Sequence, residues 1–506
     1  MPAMGKIDMV NPRIEASRMK IDLLAVMTLL LLANVCAAEK PNILWLFSDD
    51  HAFQAVGAYG GRFQPFNLTP NLDSIAAEGM RFDKCYVGNS ICAPSRATLL
   101  TGKHSHLHGK IDNHGEFNHY QQQFQKLLQA NGYQTAMIGK IHLSGNMQGF
   151  DYWEVLPGQG SYENPEFITE KGKTSYQGHS TDIITDRALE WLQDKRDPSK
   201  PFMAMVHFKA PHRTWIPAER FREPFAQMTF PEPDTLFDDY SGRGVAAHEQ
   251  DMSIDITMRM EKDLKTDRWP HRKQELIDSG LSGRELISAK YQAYMRDYLA
   301  CIAGVDENVG RLLQYLKDND LEDNTVVMYS ADQGFYLGEH GWFDKRFMYE
   351  ESFRTPFLAK WPGVIEPESI NTDLVQNIDF AETFLGIAGV EIPADMQGKS
   401  LVPILKGETP ADWRDKLYYH YYEFPGTHSV RRHEGVFTGR YKLIRFYGVG
   451  VPEGEEWELF DLEKDPKELK SEYHNPEYAS IVAKLKNGLQ ELRVHYEVTE
   501  IPQRER

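Results

Sequence analysis

Cys92 and Arg96 stand one helical turn apart in the string CAPSRATLLTG, residues 92–102, and the pair suits chemistry on an anion. A helix that opens at Cys92 aims its first free backbone N–H groups, and the positive end of its dipole, at whatever the sulfur faces. Arg96 reaches back toward the same spot with a charge that does not titrate. Two groups of oxygen donors join this pair. The apolar run Asn42–Ser48 ends in Asp49 and Asp50, and the run Thr325–Ser330 ends in Ala331, Asp332 and Gln333. Adjacent carboxylates repel one another unless a cation lies between them. Hard donors of this kind suit calcium or magnesium rather than zinc. Asp49, Asp50, Asp332 and Gln333 are the expected metal ligands, with Cys92 beside the same ion.

Two more strand-like runs lead into cations. TAMIG, residues 135–139, precedes Lys140 and His142, and FMAMVHF, residues 202–208, precedes Lys209, Pro211 and His212. His207 belongs to the second run and is expected to pack within it. Such groups supply what transfer of an anionic group requires: positive charge around its oxygens and an acid for the departing alcohol.

The 92–102 string resembles the C-x-P-S-R-x-x-x-L-T-G motif of type I sulfatases. Other segments resemble that family's motifs in the family's order, from about Pro41 to Asp465. GKIHL at 139–143 matches G-K-W-H-L with Ile141 in place of tryptophan. DKRFMYEESFRTP at 344–356 matches a lysine followed by a tyrosine–glutamate pair, arginine and proline. ELFDLEKDP at 458–466 matches the closing E-L-[YF]-D-L-x-x-D-P pattern. The resemblance implies that a formylglycine-generating enzyme oxidises Cys92 to formylglycine, whose hydrated aldehyde attacks sulfur. A thiolate doing so would be trapped in a dead-end adduct, whereas the second hydroxyl of a geminal diol can expel sulfate and regenerate the aldehyde. It further implies calcium as the ion, Arg96 and Lys103 as stabilisers of the hydrate, and Lys140 and Lys345 as sulfate-binding cations. His142 is implied to aid sulfate release, His212 to protonate the leaving oxygen, and Asp332 to take the nucleophile's proton. Tyr349, Glu350 and Arg354 would hold the loop around Lys345. Gln333 stands where many family members carry asparagine or histidine, and its amide still offers a neutral carbonyl oxygen.

The segments around residues 150–167, 207–215 and 332–352 resemble bacterial sulfatases acting on N-acetylglucosamine 6-sulfate and related glycosaminoglycan or mucin sulfates. A sulfated saccharide is the implied substrate, with the 6-O-sulfate of N-acetylglucosamine as the first choice. His106, Asn113, His114, Glu423, His428 and Arg431 are the candidate sugar contacts. Tyr152, Trp153 and Trp215 could stack on a sugar, although large aromatics more often fill cores. The alternatives are another sulfated position (galactose or N-acetylgalactosamine 6-sulfate, uronate 2-sulfate), a phosphonate or phosphate ester hydrolase of the same superfamily, and a catalytically silent sugar-binding protein.

To place these groups together, the four apolar runs must lie side by side as strands buried on both faces, with their carboxyl ends level. The expected fold is α/β: an alkaline phosphatase-like, mostly parallel sheet flanked by helices, with a smaller C-terminal antiparallel α+β subdomain. A helix over 291–316, apolar at Ile302, Val305, Val309, Leu312, Leu313 and Leu316, packs on the sheet. Polar residues, Gly407 and Pro410 divide a catalytic domain, 39–408, from a subdomain, 409–506. In the latter, residues 417–423, 435–438, 441–446 and 458–462 read as strands and 478–494 as a helix.

Residues 1–38 read as a secretory signal peptide, with Met19 a possible true start, because LLAVMTLLLLA at 23–33 is too short to span a bilayer. The expected location is periplasmic or secreted, with no later membrane-spanning run. The mature chain would keep Cys85, Cys92 and Cys301, and spacing leaves open whether Cys85 and Cys301 pair. With 41% hydrophobic and 26% charged residues the chain suits a large folded enzyme, while its net charge of −18 argues against nucleic acid as a partner. An anionic substrate must then be met by cations gathered locally.

Overall fold

Strand β1 (Asn42–Ser48) divides its side chains between two cores: Leu44 and Leu46 enter one, Ile43, Trp45 and Phe47 the other. That alternation, with both faces covered, is why its sequence is apolar without a break. In the computed structural model, which describes residues 40–500, the same rule holds for β2 (Gln134–Gly139), β3 (Phe202–His207) and β4 (Thr325–Ala331). Ala204 and Val206 face one core, and Met203 and Met205 face the other. The expected leader, 1–38, lies outside the described residues.

These strands form the centre of a ten-stranded sheet. β1 is parallel to β3 on one side and to β4 on the other, and β2 is parallel to β3. Tyr152–Val155 continues the parallel set beyond β2, whereas Phe357–Lys360 runs antiparallel beside β4. The pairs Ser48–Ala331, Phe47–His207 and Gly139–His207 leave the carboxyl ends level.

Helix α1 (Cys92–Thr101) is buried at every residue and joins the second core through Ala93, Ala97, Leu99 and Leu100. Helix α2 (Gly283–Asp318) covers the first core with Ile302, Val305, Val309, Leu312 and Leu316. It starts eight residues before the apolar repeat because Gly283, Arg284 and Glu285 are exposed, and solvated turns leave no hydrophobic signal.

A four-stranded antiparallel sheet follows the irregular stretch after Leu405: Leu417–Tyr421, His433–Phe437, Tyr441–Tyr447 and Glu455–Asp461. Helix α3 (Ala479–His495) closes one face with Leu485, Leu489 and Leu492. The opposite face shares an aromatic core with Tyr336, Trp342, Phe347, Tyr349 and Phe353. The sheet thereby supports the backbone that carries Lys345. A mostly parallel helix-flanked sheet with a small antiparallel one is the expected architecture. Cys85 and Cys301 are buried free thiols. Among the described residues no helix is long and apolar enough to cross a membrane.

Candidate active site

The site forms where β1, β2, β3 and β4 end. Gly139, at a φ of 104°, lets the chain turn there: a Cβ would lie 2.0 Å from the His207 carbonyl oxygen. Gly334 follows the Asp332–Gln333 pair where a Cβ would lie 2.1 Å from the Glu351 carbonyl oxygen. Both close approaches are open only to glycine.

Asp49, Asp50 and Asp332 are fully buried, and one ligand atom from each, together with the Cys92 sulfur, lies within 4.8 Å of the others. Burial, reinforced by the Asp332 charge and opposed by Lys345, pushes Asp50 up to about 7. Among the described residues Asp50 Oδ2 and Gln333 Oε1 have no hydrogen-bond partner. Gln333 Nε2 donates to Asp50 Oδ1 at 2.5 Å and to Asp332 Oδ1 at 2.7 Å. A half-turn of this amide would put its oxygen at the same point. Three converging buried carboxylates and an amide oxygen are a donor set fitted to a hard divalent cation.

Cationic side chains surround this cluster. Lys345 Nζ lies 2.5 Å from Asp50 Oδ1, and Lys140 pairs with Asp49. Burial alone would lower Lys345, but Asp50, Cys92 and Asp344 hold it above its ordinary value. Lys140 is pulled well below its ordinary value by burial and by Lys209 and Lys345. Lys209 drops to about 8, chiefly through burial. Arg96 is fully buried beside the same cluster. Its guanidinium lies beneath the pocket, donating from Nε to Asp332 Oδ2 at 3.0 Å and bonding the Lys140 carbonyl, with Nη2 3.6 Å from Asp49. It braces the carboxylates, and its charge also acts on the Cys92 thiol.

Cys92 Sγ donates to Asp49 Oδ1 at 3.4 Å, so the carboxylate touching the sulfur is Asp49, while both Asp332 oxygens are held by Arg96, the Asp50 amide and Gln333. Burial pushes the thiol up to about 12, with Lys345 opposing. Unmodified Cys92 is therefore un-ionised at neutral pH and a poor nucleophile.

His212 bonds the Arg213 carbonyl through Nδ1, leaving Nε2 to face the site 3.7 Å from Asp50 Oδ2. Burial and then Lys140, Lys345 and Lys209 hold it well below the usual histidine range. His142 is held low in the same way, by burial and then Lys140, and stands 3.3 Å from the Gln159 amide. His207 is packed at the end of β3.

Cys92, Lys209, His212 and Lys345 open onto a cavity of about 670 Å³, large enough for a sugar. Of the expected sugar contacts, Asn113 and His428 line it. The Asn113 side chain also accepts from the Ala93 amide at the start of α1, at 3.1 Å. Glu423 stands behind the wall, 3.6 Å from Arg346. The others lie elsewhere. Lys103 follows the far end of α1 and pairs with Asp395 at 2.5 Å; a ten-residue helix separates it from Cys92. His106 Nε2 bonds the Tyr496 carbonyl at 2.7 Å, Arg431 pairs with Glu249, and His114 is an exposed loop residue outside the cavity. Trp215 is core, packed on Tyr294, and Tyr152 and Trp153 pack against the two cores from the strand beyond β2, outside the cavity.

The pocket wall holds the expected Lys209 and three groups absent from the expectation: Arg213, Asp344 and Arg346. Each is a near neighbour of a residue already singled out, and that adjacency was the only signal. Asp344 and Arg346 both have positive φ, 81° and 97°, which turns successive side chains of DKR toward one cavity.

Comparison with known proteins fits this geometry. The sulfatase family model matches residues 41–390, and the model of the N-sulphoglucosamine sulphohydrolase C-terminal region matches 338–495. The chain belongs to the sulfatase family and is a sulfuric ester hydrolase. It is 48% identical over 493 residues to the N-acetylglucosamine-6-O-sulfatase of Bacteroides thetaiotaomicron, covering 90% of this chain and 87% of that one. A solved structure in complex with its substrate D-glucosamine-2-N,6-O-disulfate superimposes with a TM-score of 0.87 at 48% identity, over 91% of this chain and 98% of that chain. The human N-acetylglucosamine-6-sulfatase is 28% identical over 410 residues, 76% of this chain and 67% of that protein.

Proposed function

We propose that this protein is exported and hydrolyses the 6-O-sulfate ester of N-acetylglucosamine and its N-sulfated counterpart in glycosaminoglycan or mucin-type glycans, using formylglycine made from Cys92. The observation that carries the reading is the convergence of Cys92, three buried carboxylates and the Lys140, Lys209 and Lys345 ammoniums at one end of a sugar-sized cavity. It is supported by 48% identity to an N-acetylglucosamine-6-O-sulfatase.

Formylglycine would supply a hydrated aldehyde, one hydroxyl attacking sulfur and the other later releasing sulfate. Calcium held by Asp49, Asp50, Asp332 and Gln333 would add a fixed positive charge at the sulfuryl oxygens. Lys345 and Lys140 flank the same place and favour the charge that builds there as the ester bond breaks. Asp49 Oδ1, already in contact with the atom at the Cys92 side-chain position, is placed to accept the proton of the attacking group. His212 is neutral in the free site, and the arriving sulfate charge beside Nε2 raises its proton affinity. Nε2 then takes a proton from solvent and passes it to the departing sugar oxygen, with Nδ1 anchored on the Arg213 carbonyl. His142 assists release of sulfate from the far side of Lys140.

Both groupings of close metal-ligating atoms among the described residues share Asp49 and Cys92, which supports one ion rather than the two of metal-paired phosphoryl hydrolases. The test is sulfate release by protein coexpressed with a formylglycine-generating enzyme, on N-acetylglucosamine 6-sulfate, galactose 6-sulfate, N-acetylgalactosamine 6-sulfate, a 2-sulfated uronate disaccharide and a phenyl phosphonate ester. Release from the first with the others inert is the expected result. Turnover of the phosphonate alone would overturn the reading.

A further inference from the structure

The cavity holds a second concentration of positive charge that cleavage of the ester does not use. Arg259 and Lys262 line its outer wall, and both are exposed. Among the described residues neither side chain has an ion-pair or hydrogen-bond partner. Three of the inner cations are engaged, Arg213 with Asp263, Arg346 with Asp344 and Glu423, Lys345 with Asp50, while Lys209 is buried over the Tyr162 ring. Two uncompensated charges side by side at a pocket mouth stand out in a chain of net charge −18.

Their platform is fixed. The Asp263 amide donates to the Arg259 carbonyl at 3.0 Å, closing a turn that sets side chains three apart on one side. The Asp263 carboxylate accepts from Arg213 Nε and Nη2, each at 2.7 Å, and from the Arg259 amide at 2.8 Å, so the nearby acid is committed elsewhere. At the start of the segment the Asp251 amide donates to the His428 carbonyl at 2.7 Å. Loop and pocket wall are thus one structure, and the cations do not depend on a mobile strap to face the cavity.

We infer that Arg259 and Lys262 recognise a second anionic group of the substrate, either a sulfo group on the glucosamine nitrogen or the carboxylate of an adjoining uronate. The inference rests on the glucosamine 6-sulfate reading above and adds a specificity site to it. A neutral N-acetyl sugar leaves this pair facing water, whereas a doubly charged substrate gains two solvent-exposed, salt-sensitive attractions.

The test compares matured wild type with an R259A/K262A variant on N-acetylglucosamine 6-sulfate, N-sulfoglucosamine 6-sulfate and a uronate–N-acetylglucosamine 6-sulfate disaccharide. The variant is expected to lose about tenfold in kcat/KM on a doubly charged substrate, through KM with kcat unchanged, and to stay within about twofold on the singly charged sugar. The loss should shrink at high ionic strength, and R259K/K262R, which keeps both charges, should retain the selectivity. Loss on the N-sulfo sugar alone assigns the site to the sulfo group, and loss on the disaccharide alone assigns it to the carboxylate. Equal loss on all three, or none on any, overturns the inference. Wild type that releases sulfate from none of the three sugars overturns the substrate reading, and this inference with it.

Discussion

Asp49, Lys140, Lys209 and Asp332 each follow a parallel strand by one or two residues, whereas Arg213, Asp344, Arg346 and His428 sit on irregular segments that meet only in the folded chain. The first set inherits its geometry from the sheet. Level strand ends fix where these charges point, and burial there holds the Lys140 and Lys209 ammoniums below their ordinary proton affinity. The second set is held by pairwise bonds between loops: Arg213 on Asp263, His428 on Asp344, Arg346 on Glu423. The first set is thus fixed by the sheet, and the second by contacts between loops that can change without disturbing it.

The sharpest test of this division is Cys92→Ala. Sulfate release should fall by about 10⁴-fold or more, since the nucleophile is removed while the cations remain. Mass analysis of the peptide around residue 92 in the parent protein should show an aldehyde in place of the thiol. Significant multiple turnover by the variant would break the assignment of Cys92 as the source of the nucleophile.

His212→Ala comes next. A drop of about 10²- to 10⁴-fold in kcat is expected on a sugar sulfate, and a much smaller one on an aryl sulfate, whose leaving group needs no acid. Equal losses on the two substrates would mean that His212 only shapes the pocket.

Calcium should raise Tm, by a stabilisation of about 2.7 kcal/mol at a hundredfold excess over Kd. Asp332→Asn should erase that shift, and Arg431→Ala should keep it. A calcium response that survives Asp332→Asn would place the ion elsewhere.

Stability should also fall on acidification. Burial lowers His51 and His108 to about 3 and His433 to about 4, and holds His104, His207 and His420 well below 6.5. Below pH 6.5 the unfolded chain protonates these rings and the native chain does not, so unfolding takes up protons and Tm drops toward pH 4. Asp50 and Glu468, raised to about 7, Asp306, raised to about 6, and Asp73, Glu382, Glu458 and His340, also raised, act in the opposite sense, and are outnumbered once the lowered His106, His119, His142, His179 and His212 are included. A Tm that rises between pH 6.5 and 4.5 would contradict the buried neutral histidines. The smallest effects belong to Lys103→Ala and Arg431→Ala, expected to leave kcat/KM within about twofold because those side chains end on Asp395 and Glu249. A larger loss at either would put it back among the functional groups.

What could be read in advance follows the same division. The strand Asn42–Ser48 and the positions of Asp49, Asp50, Lys140, His212 and Asp332 were legible because each polar residue directly follows an apolar run, and a run buried on both faces has few places to go. Of the sugar contacts only Asn113 and His428 line the cavity. His106 and Arg431 carry the right chemistry, yet they spend it on the Tyr496 carbonyl and on Glu249. The contacts of Arg96 with Asp332 and Asp49 join residues far apart in the chain and carry no local signal.

By itself the sequence determined the nucleophile's helix, the four strand ends, and the family they define, because those features depend on neighbours a few residues away. Only the tertiary structure decided that Lys345 meets Asp50 across 295 residues and that Arg213 meets His428 across 215. The aromatic core beneath residues 336–353, shared with the C-terminal sheet, sets that loop's height over the pocket. Contacts between segments so distant along the chain arise from packing the whole molecule, and no local pattern of residue types encodes them.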